Sequence, residues 1–288
     1  MPSRQYYSAR TGRYPEAARF DLPALKRLFL ALYNELVGKG YLEEMLGKEC
    51  VDDFNASIGT AGSDVAAYVL RRVRRDGLWP IHGRIPGYTE DDLFDIIELL
   101  YDHVSAGVGG YFHQHNGCGM HYESFDRSAA RLGYRAEINE LLRDYGSGFE
   151  LSLEGEIANL PEAGFANLMV AGLPSGDPDN VDDRVKMSIG KYLRRSSGLE
   201  DRRDAVRGLA DVLEFLRPQL KNVLQTKDEG DLFNIANNFA VRHHNDRQQA
   251  NYDPNIWTSW MFYFYLATIH AAQHLIRRSS SGSAPTAR

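Results

Sequence analysis

Two stretches of the chain concentrate side chains able to do chemistry. The first runs Asn237-Asn238-Phe239-Ala240-Val241-Arg242-His243-His244-Asn245-Asp246-Arg247. Arg242 is a fixed cation beside His243 and His244, two groups that titrate near neutrality. The set suits RNA cleavage without a metal. An imidazole can take the proton of a ribose 2′-hydroxyl or return one to the 5′-oxygen leaving group. The guanidinium can grip the scissile phosphate through two parallel hydrogen bonds and stabilise its developing charge, while Asn245 can orient an imidazole or the ribose. At helical spacing Leu232, Ile235, Phe239 and Arg242 share one face, so Arg242 continues an apolar stripe and needs an acid or a bound anion. The plainer reading is a helix end, with the arginine paired to a carboxylate and the histidines beside the C-terminal dipole.

The second stretch is His113-Gln114-His115-Asn116-Gly117-Cys118-Gly119-Met120-His121. His113, His115, Cys118 and His121 could supply four zinc ligands, with the glycines letting the loop curl around an ion. The spacing matches no zinc ribbon or finger, and structural sites usually draw on two separated ligand pairs. The simpler expectation is therefore a loop whose rings pack on neighbouring helices, with no cofactor. His270 and His274 are one helical turn apart but bring no third ligand. Arg194, Arg195, Arg202 and Arg203 cluster around one turn and, with Arg247, form a candidate phosphate-binding patch. A solvated charged face is the alternative for that cluster. Glu200, Asp201 and Asp204 suit the first turn of a helix, or could pair with Arg242 from a facing helix.

Helices must position most of these residues. Leu25, Leu28, Phe29, Leu32 and Leu36 recur at helical spacing after Asp21 and Pro23, predicting a helix across 21–46. A second is expected from Asp64 to Arg75, stopped by Gly77. Thr89-Glu90-Asp91-Asp92 is a capping sequence for a largely buried helix through Leu100, and 127–145 resumes the pattern. Alternation across Phe149–Ile157 around Glu154-Gly155 predicts a β-hairpin, the one convincing strand pair. The Pro- and Gly-rich stretch 172–180 reads as a linker. Beyond it, helices at about 182–196, 200–225, 229–245 and 255–277, separated by short turns, predict a four-helix bundle. The expected fold is thus mainly α. It comprises an N-terminal helical domain over 1–175, a bundle over 181–278 and a disordered tail at 279–288.

Composition narrows the function classes. The chain has 288 residues, 43% hydrophobic and 25% charged, with a formal net charge of −6, which excludes global disorder and fibrous folds. Its two cysteines cannot build a disulfide framework, and no signal segment opens the sequence, so a cytoplasmic protein is expected. The aromatic last helix is interrupted by Thr258, Ser259, Thr268, His270 and Gln273, which favours a bundle helix over a membrane span. Charge is uneven, with residues 1–180 net acidic and 181–288 net basic. A basic C-terminal part suits a polyanionic partner. No glycine-rich nucleotide fingerprint, Walker loop or serine elbow is present.

A helical bundle whose third helix ends in an arginine and a polar residue, followed by an aromatic-rich fourth helix, resembles the HEPN domain. The stretch Asn234–Ile276, with Glu200–Val223 before it, also looks like the ends of uncharacterised bacterial proteins related to abortive infection. The HEPN likeness covers about 100 residues. It implies a homodimer through the bundle, with two motifs facing across a cleft. Active members are metal-independent endoribonucleases in antiphage defence, toxin–antitoxin and RNA-processing systems. Carried onto this chain, the resemblance implies Arg242, His243, His244 and Asn245 as catalytic residues and RNA as partner, along with an antitoxin or a defence-system subunit. The sequence departs from the family where a later histidine belongs, holding Asp246, Arg247, Gln248 and Gln249 instead. Either His244 replaces it, or the domain serves as a non-catalytic dimerisation, RNA-binding or assembly module.

Overall fold

A computed structural model describes residues 6–11, 19–50, 52, 58–162, 164–224, 233 and 253–280. The chain is mainly helical with small antiparallel hairpins. It divides into two units, Met1–Asn159 and Leu160–Arg288. The division falls before the expected linker at 172–180. The cause is apolar: Leu168, Met169 and Leu173 pack into the core of the second unit, and the Pro-rich turn that follows them belongs to it.

The first unit is built on α2 (Leu22–Gly38), α6 (Glu90–His103) and α7 (Arg127–Arg143). Asp21 caps α2 by accepting from the Ala24 amide at 2.9 Å, and Leu25, Phe29, Leu32 and Leu36 form its buried stripe. The expected single helix over 21–46 is two. A turn at Gly40, with φ of 74°, separates α2 from α3 (Glu43–Leu46). Thr89 and Asp92 form the expected capping box at the start of α6. The helix α4 (Val65–Val73) stops earlier than expected, at a left-handed Arg74, and not at Gly77. Two further single-turn helices belong to this unit, α1 (Tyr7–Arg10) and α5 (Ile81–Arg84). Tyr134 of α7 is fully buried and donates to the Ile97 carbonyl at 2.9 Å, joining α7 to α6. Each fully buried leucine or phenylalanine of this core contributes about 1.5–3 kcal/mol relative to exposure.

Three strand pairs follow, where one was expected. β1 (Ala106–Val108) pairs with β4 (Ser124–Asp126), β2 (Tyr111–His113) with β3 (Gly119–His121), and β5 (Phe149–Leu151) with β6 (Ile157–Asn159), all antiparallel. The last is the hairpin expected around Glu154-Gly155. Glycine is required between the other two: a Cβ on Gly107 would meet the Tyr122 ring at 2.2 Å, and one on Gly110 the His121 carbonyl oxygen at 1.8 Å.

The second unit contains α8 (Ala166–Val170), a turn at Pro178–Asp182, α9 (Asp183–Leu193), α10 (Leu199–Leu220) and α11 (Pro254–Ser280). Stripes from α10 and α11, including Leu209, Leu213, Phe262, Leu266 and Ile269, close one core. Phe233 is buried in it, with the Arg217 guanidinium 4.2 Å from its ring centroid. The rest of the expected helix at 229–245 lies outside the described residues, so three of the four expected helices are described. Ser279 and Ser280, expected in the disordered tail, are helical and return their hydroxyls to the carbonyls of Ile276 and Arg277. Among the described residues no helix is long and apolar enough to cross a membrane.

Candidate functional site

Arg242, His243, His244, Asn245 and Arg247 lie outside the described residues. The arginine cluster at the α9–α10 turn is described, and its members differ. Arg203 pairs with Glu200, while Asp204 accepts from Arg207 and, at 3.0 Å, from Lys191. The Asp201 carboxylate accepts the Gly198 amide at 3.0 Å and caps α10. The acids considered as partners for Arg242 are therefore engaged locally. Lys191 and Arg207 hold the Asp204 carboxyl below its usual pKa. Arg194 and Arg195 also have partners.

Arg202 stands apart. Its guanidinium lies over the Tyr192 ring, with Cζ 5.7 Å from the centroid. Its Nε is buried without a hydrogen-bond partner among the described residues. A buried charged donor left in this state is costly unless an anion completes it. Arg202 lines an open cleft of about 620 Å³ with Glu162, Phe165, Ser259, Trp260 and Tyr263. The aromatic residues are stacked in pairs. Phe165 lies on Tyr263 at 4.0 Å and Trp260 on Phe264 at 5.3 Å, which leaves the outer rings 40% and 41% exposed. A hydrogen-bond chain stiffens the floor: Tyr192 and Ser259 share a bond of 2.7 Å, and the Ser259 hydroxyl donates to Glu162. Burial raises the pKa of Tyr192, and it pushes Tyr263 up to about 12, so both phenols stay protonated at neutral pH. A cation beside stackable rings is the chemistry that holds single-stranded nucleic acid, through phosphate contacts and base stacking.

In the first unit the histidine loop is partly as expected and partly not. Register pairs His113 with Gly119 and Tyr111 with His121, and this places both histidines on one face of the β2–β3 hairpin. Cys118 Sγ is 3.0 Å from His121 Nε2. The fourth member is Cys50, not His115. Its Sγ lies 3.6 Å from His113 Nδ1, and one ligand atom from each of Cys50, His113, Cys118 and His121 lies within 4.8 Å of the others. His115 stays outside, its ring stacked 6.1 Å from that of His113. Burial, and then the neighbouring Cys50, raise the Cys118 thiol pKa. Sequence spacing missed Cys50 because it is remote from the loop. The available signal was that the chain has only two cysteines, so the thiol partner of Cys118 had one candidate.

His270 and His274 have rings 4.8 Å apart on α11, and no third ligand joins them among the described residues. Comparison of the chain with protein-family models, with curated proteins and with solved structures finds no match.

Proposed function

We propose that the Leu160–Arg288 unit binds RNA and cleaves it as a metal-independent, HEPN-type endoribonuclease of an antiphage or toxin system, acting as a homodimer. The observation that carries the reading is Arg202. It is a guanidinium with an unpartnered buried Nε, set in a cleft with two half-exposed, stacked aromatic rings. Phosphate completes such an arginine, and unstacked bases extend the Phe165 and Trp260 stacks. The basic character of residues 181–288 agrees with a polyanionic ligand.

Cleavage is assigned to Arg242, His243, His244 and Asn245. One histidine takes the 2′-hydroxyl proton and the 2′-oxygen attacks phosphorus. The bond to the 5′-oxygen breaks, and that oxygen leaves with a proton from the second imidazole. Arg242 neutralises the charge gathering on the phosphoryl oxygens. The products are a 2′,3′-cyclic phosphate and a 5′-hydroxyl.

The test is incubation of the full chain with single-stranded RNA in EDTA, with product ends identified by mass spectrometry. Cleavage with cyclic phosphate ends, lost in Arg242→Ala, is expected. RNA left intact at high protein concentration, with Arg242→Ala indistinguishable from wild type, overturns the cleavage step. Binding is read separately, because a stacked base is worth about 1–3 kcal/mol, roughly five- to 160-fold in affinity. Trp260→Ala and Arg202→Ala are each expected to weaken RNA binding by that order. Unchanged binding in both removes the RNA reading. RNA bound through these residues but never cut leaves the non-catalytic module as the function.

A further inference from the structure

We propose that Cys50, His113, Cys118 and His121 bind one Zn²⁺ in a closed structural site that ties the segment after α3 to the β2–β3 hairpin. The site lies in Met1–Asn159 and goes beyond the RNA reading, which assigns no role to this unit.

The donor set comes first. Two thiolates and two imidazoles form a soft nitrogen–sulfur set suited to zinc over the oxygen-loving cations. Four protein ligands fill a tetrahedron and leave no open position for water or substrate, so the ion is structural and not hydrolytic. Two thiolates also neutralise the dication.

Geometry agrees. A tetrahedral ion bonded at ~2.3 Å to sulfur and ~2.0–2.1 Å to nitrogen sets neighbouring donors roughly 3.3–3.8 Å apart. Cys118 and His121 are 3.0 Å apart, Cys50 and His113 are 3.6 Å apart, and no pair exceeds 4.8 Å. Rotamer adjustments on the order of 1 Å bring the set to bonding geometry. Both thiols are free, so neither donor is lost to a disulfide.

The surroundings give an independent argument. His113 turns Nδ1 toward the cluster and places its other nitrogen, Nε2, 3.1 Å from the Asp52 carboxylate. A carboxylate on the far nitrogen is the arrangement that fixes the tautomer of a metal-binding histidine and raises its basicity. His121 is buried and held by Tyr111, whose ring stacks on it at 5.1 Å and 9°. Gly117 and Gly119, with φ of 70° and 86°, turn the chain on either side of Cys118. Lys48 reaches across to the Met120 carbonyl at 2.7 Å, which holds the segment before Cys50 against the hairpin. The ligands thus come from two separated parts of the chain, Cys50 on one side and the hairpin residues on the other.

The experiment uses the full chain purified under reducing conditions without a metal-affinity matrix. Bound zinc is measured by elemental mass spectrometry, followed by exchange with Co²⁺. About one equivalent of zinc is expected. Co²⁺ should give tetrahedral ligand-field bands and a thiolate-to-cobalt charge-transfer band. Cys50→Ser should lose the metal while His115→Ala keeps it. Asp52→Asn should weaken affinity about 10- to 100-fold in competition with a chelating dye. Zinc well below one equivalent after reconstitution overturns the proposal, as does an octahedral cobalt spectrum without the thiolate band. Zinc retained by a folded Cys50→Ser overturns it too. Should that variant fail to fold, the wild-type cobalt spectrum decides. Zinc content is read without RNA, so this outcome and that of the cleavage assay are separate.

Discussion

The two units hold their shape by different means. In Leu160–Arg288, long helices meet along apolar stripes, and α9, α10 and α11 share one core. Met1–Asn159 has such a core in α2, α6 and α7, but its strands are only three residues long. A ladder that short does not sustain itself in water. Helix side chains therefore hold the strands by their backbones. Asn139 accepts the Leu151 amide at 2.6 Å and donates to the Leu151 carbonyl at 3.2 Å, Glu98 accepts the Ile157 amide at 2.6 Å, and Arg135 Nε donates to the Leu151 carbonyl at 2.7 Å. Both units rest on burial, and the first adds side-chain ties to strand backbone. Among the described residues, all but one of the positive-φ glycines lie in the first unit, where irregular backbone must be fixed point by point.

The contrast can be broken by mutation. The largest effect is expected for Phe262→Ala in α11, a fully buried ring stacked on Tyr192 at 3.9 Å. Loss of a buried phenylalanine costs about 3–5 kcal/mol. Hydrogen exchange should accelerate in α10 and α11 peptides and stay unchanged in α6. Equal acceleration in both units would show that they do not hold their folds independently.

Asn139→Ala should cost about 1–3 kcal/mol, because it leaves the buried Leu151 amide without its acceptor. Exchange should speed up most in β5. A loss no larger than that of an exposed substitution would show that the polar ties are incidental.

The smallest effect concerns pH. Burial lowers the His103 pKa below its usual value, and its Nε2 is 2.9 Å from the Tyr68 hydroxyl. The unfolded chain then binds a proton more readily than the folded one. Stability should fall as pH drops through the ordinary histidine range near 6.5, and the loss should level off below the lowered folded value. His103→Gln should flatten that limb in denaturant titrations. An unaltered slope would remove His103 as its source.

Local chemistry was legible in the sequence wherever a signal was self-contained. Asp21, Asp64 and Thr89 cap the helices that their positions announce. The alternation around Glu154-Gly155 marks a real hairpin. What was not legible depends on distance or brevity. Three residues cannot display alternation, so β1 to β4 gave no strand signal. The stretch 172–180 has linker composition, yet Val181 and Val185 beside it are buried, and a core contact overrides composition. Of the candidate ligands in the histidine loop, His113, Cys118 and His121 come together and Cys50 stands where His115 was expected, because Cys50 meets His113 only through tertiary structure. The reading of Arg242 to Asn245 lies outside the described residues.

The bond between Asn139 and Leu151 also bears on how copies of this chain meet. A two-stranded hairpin offers unpaired amides and carbonyls along its outer edge, and such an edge templates strand addition by another molecule. At Leu151 one amide side chain from α7 satisfies both outward backbone groups, and Arg135 adds a bond of 2.7 Å to the same carbonyl. The helix thus stands where a third strand would lie. At that point the edge is closed to intermolecular β-pairing, so a short hairpin can persist in a helical protein without seeding aggregation.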